Sequence, residues 1–232
     1  MQGTKGSLGE CSGDIEHDLR VSQLCFIGKI LSLFTHEINN HLAILKESAG
    51  LMEDLIEFGE SRSKQDSGQY LQISHSIHTQ VRKTMTLLKY LNRFGHRFDH
   101  EISSFDLNES LDELLVLIQR SVNQKRITIE KEFDNTIPAV RSSPSQLQLL
   151  VFSLLEEKIR RLDDRSTISI KTSHSKGKIT ISILAEGNMT HETEKQNSCS
   201  GELLQDVIAK MGWSITETEK GRTAITLPVS VP

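Results

Sequence analysis

Two long stretches of this chain repeat apolar residues at intervals of three and four, and they limit the folds open to it. In the first, Ile27, Leu31, Phe34, Ile38, Leu42, Leu45, Met52 and Leu55 keep that spacing. It marks an amphipathic helix with one buried stripe, predicted here from about Val21 to about Phe58. In the second, Leu71, Ile73, Ile77, Val81, Met85, Leu88 and Leu91 predict a helix from about Gln69 to Phe94, with Gly95 as its C-cap. Gly59 to Gly68, rich in Ser, Gly and charge, predicts the turn between them. Two long helices on a short loop make an αα-hairpin. One hairpin cannot cover two apolar stripes of this length. Pairing two hairpins in a four-helix bundle can, which predicts a homodimer. The competing arrangement folds the rest of the chain back over the stripes.

The first helix carries Phe34-Thr35-His36-Glu37-Ile38-Asn39-Asn40-His41-Leu42-Ala43. At about 100° per residue, His36 stands two positions from both Phe34 and Ile38 and so points away from the stripe. Asn40 is one turn further on and shares the exposed face of His36, while Glu37 sits one position round. A neutral imidazole nitrogen is a nucleophile; a nearby carboxylate can orient the ring, take its proton or stabilise its cation. A carboxamide can position water or a phosphoryl oxygen. By itself the pattern also describes a solvated histidine on a polar face. His41 is a second candidate ligand or acceptor, but it lies near the buried stripe, which favours a structural role for it.

Beyond the hairpin, His96 to Phe105 is predicted as a linker. Asp106 or Asn108 is the N-cap of a helix whose apolar face is Leu111, Leu114, Leu115 and Ile118. Ile127 to Phe133 alternates as a strand that Pro138 closes off. Ser143-Pro144 supplies an N-cap and a first-turn Pro for a helix running to about Leu162. Thr167–Thr172 and Lys178–Leu184 are strands around a hairpin turn at Ser175-Lys176-Gly177. A short helix from Gly201 to Met211, with Gly212 behind it, precedes a closing hairpin of Trp213–Thr218 and Thr223–Leu227. This order predicts a sheet with helices on one face. The class is α+β: a lead-in over 1–20 expected to be flexible, the hairpin over 21–95, and an α/β sandwich over 105–232.

The 232 residues suffice for one or two domains with real cores. The formal net charge of −4 argues against a dedicated nucleic-acid binder. There is no apolar run of about 18 residues, so no membrane span is predicted, and the first residues carry no signal-peptide core. Cys11, Cys25 and Cys199 form no C-x-x-C pair and suggest no zinc site, and a reducing cytoplasm is the simplest compartment.

The stretch His36-Glu37-Ile38-Asn39-Asn40-His41-Leu42-Ala43 resembles the H-box of sensor histidine kinases, whose first His accepts phosphate. The family usually has Pro, which kinks the helix, where this chain has His41. From about Phe105 onward, the order of elements resembles the ATP-binding domain of those kinases. Gln146 to Ile159 lines up with the helix that bears the family's N-box, but Ser153 stands where the family has Asn, and Glu157 where it has a magnesium-binding Asn. Ile181 to Gly187 lines up with the strand leading to Asp-X-Gly-X-Gly, and Ala185 stands at the adenine-recognising Asp. Asn188-Met189 follows Gly187 with no second Gly in register. Of the glycine-rich lid only Ser200-Gly201 remains. A Gly-rich turn lets backbone N–H groups approach phosphates. Replacing Asp by Ala leaves an adenine donor unpaired, a loss of about 1–3 kcal/mol.

The resemblance therefore implies a dimeric histidine phosphotransferase that does not load itself from ATP. His36 would carry the phosphoryl group, Glu37 would be its orienting base and Asn40 would position water or a phosphoryl oxygen. The implied partners are response-regulator receiver domains and a second copy of the chain, without nucleic acid or membrane. No cofactor is expected in this chain, magnesium being supplied by the receiver. Lys29, Ser32, Thr35 and Asn39, around His36, would carry partner choice. The alternatives are a divergent sensor histidine kinase and a non-catalytic receiver-binding adaptor or phosphatase.

Overall fold

The structure, a computed structural model, describes residues 8–58, 64–188, 201–218 and 221–229. Its N-terminal part is a hairpin of two long helices, α1 (Leu8–Phe58) and α2 (Lys64–His96). Both outrun the predicted bounds. Helix α1 begins at Leu8, well inside the segment expected to be a lead-in, because no proline interrupts residues 8–20 and Leu19 packs against the core. Helix α2 starts before Gly68, inside the predicted turn, and Tyr70 Oη donates to Leu55 O across the loop end at 3.1 Å. Gly95 lies within α2 rather than capping it. The helix stops instead through tight three-residue turns, Phe98 N to Gly95 O at 3.1 Å and Asp99 N to His96 O at 3.3 Å. Residues 1–7 and 59–63 lie outside the described residues.

On α1 the helices meet along much of the predicted stripe, with Ile27, Phe34, Ile38, Leu45, Met52 and Leu55 half-buried, and on α2 along a line one step round from it. Phe26, Ile30, His41 and Ser48 of α1, with Gln80, Leu87 and Phe94 of α2, are buried. Leu31 and Leu42, expected inside, are 44% and 51% exposed. The apolar pattern on each helix is wide enough for two faces. One is used within the hairpin. The other, with Leu24, Leu31, Leu42 and Ile56 on α1 and Leu71, Val81, Met85 and Leu88 on α2, is open in the single chain.

The C-terminal part runs β1 (Ser103–Phe105), α3 (Leu107–Leu117), α4 (Gln119–Gln124), β2 (Thr128–Glu132), β3 (Val140–Ser142), α5 (Pro144–Arg161), β4 (Thr167–Ser175), β5 (Lys178–Glu186), α6 (Gly201–Lys210), β6 (Ser214–Glu217) and β7 (Arg222–Pro228). Strands β2-β4-β5-β7-β6 form one mixed sheet, parallel only at β2–β4. Burial alternates strictly along β5 and β7, so one face of this sheet packs on the helices. Asp106 caps α3, its side chain accepting from Glu109 N at 2.9 Å. Lys176 and Gly177 both take positive φ, 50° and 72°, the geometry a two-residue β-hairpin needs. Gly212, at φ 64°, turns the chain behind α6 while Trp213 N bonds back to Ile208 O at 2.9 Å. The predicted linker contains β1, which pairs with β3 in a separate two-stranded sheet, and α4 was not predicted. The class is α+β, a long helical hairpin followed by a mixed-sheet domain.

Aromatic packing and ion pairs fasten this domain to one end of the hairpin. Phe26 meets Phe152 of α5 and Phe94 of α2 with ring centroids 4.8 and 5.3 Å apart, while Lys29 Nζ reaches both Glu156 oxygens at 2.6 and 2.7 Å. On the other side Arg97 clamps Glu113 through two hydrogen bonds of 3.0 and 2.9 Å, and the Glu113 side chain is fully buried. The domain thus covers only the Phe26 end of the hairpin and leaves the second apolar face open. Among the described residues, no helix is long and apolar enough to cross a membrane.

Candidate functional site

The site is built on a single uninterrupted helix. With His41 where a proline would kink it, α1 runs continuously through the segment. His36 and Asn40 are exposed one turn apart, and Glu37 is half-buried beside them. Thr35 Oγ1 donates to Leu31 O at 2.8 Å, so its hydroxyl is committed to the helix. Among the described residues nothing hydrogen-bonds the His36 ring. Its two nitrogens are open to an incoming electrophile, which a nucleophilic imidazole requires.

Glu37 leans the other way, toward the hairpin seam. Its Oε1 lies 3.5 Å from His41 Nε2, and His41 Nδ1 lies 3.1 Å from Thr84 Oγ1 of α2. His41, 7% exposed, therefore bridges the two helices, the structural position its place near the stripe suggested. Sequence reasoning did not find this relay, because the phase of α2 against α1 decides which residue meets His41. Lys29, assigned to the surface that chooses partners, is instead held by Glu156.

The positions where the resemblance expects nucleotide chemistry are occupied by the fold itself. Ser153 Oγ, buried, donates to Leu149 O in its own helix at 2.9 Å. Glu157 pairs with Arg161 one turn on at 2.7 Å. Ala185 is 6% exposed near the end of β5 and offers no polar side-chain atom. Gly187 has φ 149°, and a Cβ there would lie 2.3 Å from Ser166 Oγ. Close chain packing thus demands this glycine. Lys158, between Ser153 and the helix end, is 7% exposed and donates to Gly221 O at 2.9 Å. Burial pushes its ammonium below the usual 10.5, with Glu217 and Glu157 opposing. Met189 and Ser200 lie outside the described residues. Among those described, no three His, Cys, Asp or Glu side chains gather as a metal site.

No protein-family model and no curated protein matches the sequence. Solved structures do. The catalytic domain of histidine kinase ThkA aligns at 18% identity over 56% of this chain and 97% of that one, with a TM-score of 0.50. ThkA in complex with the response regulator TrrA aligns over 96% of this chain and 68% of that one, at 17% identity and a TM-score of 0.47. The Acinetobacter baumannii histidine kinase AdeS aligns over 82% and 95%, at 14% and 0.45. The first of these likenesses shows the fold, which is histidine-kinase-like.

Proposed function

We propose that this chain is a histidine phosphotransferase of a two-component phosphorelay, acting as a homodimer in the cytoplasm. A receiver's aspartyl phosphate docks over the exposed face of α1. A nitrogen of His36 attacks phosphorus, the P–N bond forms as the P–O bond to the aspartate breaks, and the receiver's carboxylate leaves. The transfer runs roughly in line through a loose transition state. Attack by one neutral nitrogen leaves the other bearing its proton, and Glu37, which faces His41 in the free chain, turns to the His36 ring on docking and orients it. Asn40 positions a phosphoryl oxygen, and magnesium belongs to the receiver's acidic site. The reverse step passes the group to a second receiver.

The observation that carries this reading is an exposed, unpartnered His36 on a histidine-kinase-like fold whose Ser153, Glu157 and Ala185 are spent on internal contacts or offer none. The test is incubation of the purified chain with radiolabelled ATP, and separately with a phosphorylated receiver. Acid-labile label from the receiver but none from ATP is expected, and His36→Ala should take none. Label from ATP alone would overturn the reading in favour of a divergent kinase. A second reading has one observation behind it: Glu37 faces His41, leaving Asn40 free to position water on a docked aspartyl phosphate. The chain would then be a receiver phosphatase or adaptor, and the same assay would give faster receiver dephosphorylation without any protein-bound label.

A further inference from the structure

Several basic side chains here pair with an acid. Lys29 meets Glu156, Arg97 meets Glu113, Arg93 meets Glu109, Lys131 meets Asp112, Lys171 meets Glu132 and Lys210 meets Glu101. A chain of net charge −4 has carboxylates to spare. One cavity instead gathers three basic side chains that, among the described residues, have no acid. About 430 Å³ in volume, it lies where the hairpin meets the α3–α4 corner, and Arg82 and Lys83 of α2 and Arg120 of α4 line it. Among the described residues none of these three has an ion-pair partner. Among the described residues Glu37 is the one acid lining the cavity, and it is directed to His41. Phe34 and Leu87 supply an apolar wall, and Leu87 is 5% exposed.

The geometry points to a binding site for a small organic phosphate: a dianionic head on the cations and an apolar body against Phe34 and Leu87. Guanidinium forks match phosphate oxygens in pairs, and a lysine adds a point charge. The volume falls in the range of small-molecule sites, which combine an apolar lining with few placed polar groups. His36 does not line the cavity, so this site is separate from the phosphoryl acceptor. The cations come from both parts of the chain. A bound phosphate therefore ties α2 to α4 and sits against Glu37, next to the acceptor's own turn.

Phenylphosphonate, whose P–C bond prevents transfer, is the probe. Calorimetric titration into the full chain at low salt should give saturable binding of one molecule per chain, tighter than inorganic phosphate. Arg82→Ala and Arg120→Ala should each weaken it by roughly tenfold or more, as loss of a charge-assisted contact does, and thermal melts would verify that both variants are folded. Lys178→Ala, at the start of β5, removes a charge outside the cavity and should leave binding unchanged, as should His36→Ala, whatever becomes of phosphoryl transfer. Absence of saturable binding, binding unchanged in both arginine variants, or equal loss in Lys178→Ala would overturn the site. So would a fourth result, in which the arginine variants slow transfer from a receiver while phenylphosphonate does not bind. The cavity would then be a receiver contact.

Discussion

At the scale of single residues, His36, Glu37 and His41 divide two tasks between them. His36 faces solvent with both nitrogens unengaged, whereas His41, five positions on, is folded into the seam between Glu37 and Thr84. Thr84→Val removes the partner of His41 Nδ1 without changing the volume of the seam much. It should cost about 1–3 kcal/mol, the range for leaving a buried polar group unpaired, while the exposed face of His36 stays as it was. Urea denaturation beside a phosphoryl-acceptance assay measures both. The exposure of His36 was legible in the sequence because its phase relative to Phe34 and Ile38 is a property of one helix. The direction of Glu37 was not, since it depends on Thr84, more than forty positions away and on another helix. The unpaired state of Arg82, Lys83 and Arg120 was equally hidden. Only the tertiary fold shows which basic residues find an acid.

At the scale of elements, the clamp between the end of α2 and α3 sets how the two parts of the chain are joined. Glu113 is fully buried, with two hydrogen bonds from Arg97 and a longer contact to Arg93 at 3.7 Å. Such a pair is weak support for stability against a well-packed apolar alternative, but losing one partner strands a buried charge. Arg97→Met is expected to cost about 3–5 kcal/mol on that account, read as a lower denaturation midpoint. A Glu113→Gln, Arg97→Met double variant should recover part of the loss. Elements with strong local signals were readable, including the Asp106 cap, the Lys176-Gly177 turn and Gly212 behind α6. The missed ones are short: β1 and β3 span three residues each and α4 six. Segments of that length carry too little periodicity to stand out, and pairing partners decide whether they form.

At the scale of the molecule, the open apolar face of the hairpin is the main unmet demand of the single chain. Leu24, Ile56, Leu71 and Met85 are 68%, 67%, 72% and 64% exposed, and they lie along the hairpin rather than scattered over the domain. Contiguous apolar surface of this kind marks an interaction site. Light scattering should give twice the chain mass for the wild type, and Met85→Glu with Leu88→Glu should give the single chain. A wild type that is monomeric at micromolar concentration would remove the four-helix bundle from the proposal. The seam inside each hairpin has a further consequence. Toward the loop it sets Ser48 against Ser76 at 3.3 Å, with the Gln80 carbonyl buried and unpaired, among apolar residues such as Leu45, Met52, Ile73 and Ile77 that are only half-buried; toward the domain it is the buried Phe26, Ile30, Leu87 and Phe94. Regions with few apolar contacts open at low free-energy cost, and regions in the core open only with the whole fold. Amide hydrogens should therefore exchange in a gradient, quickly around Ser48 and Ser76 and slowly around Ile30 and Phe94. His36 sits on the boundary between a loose arm and a rigid shoulder.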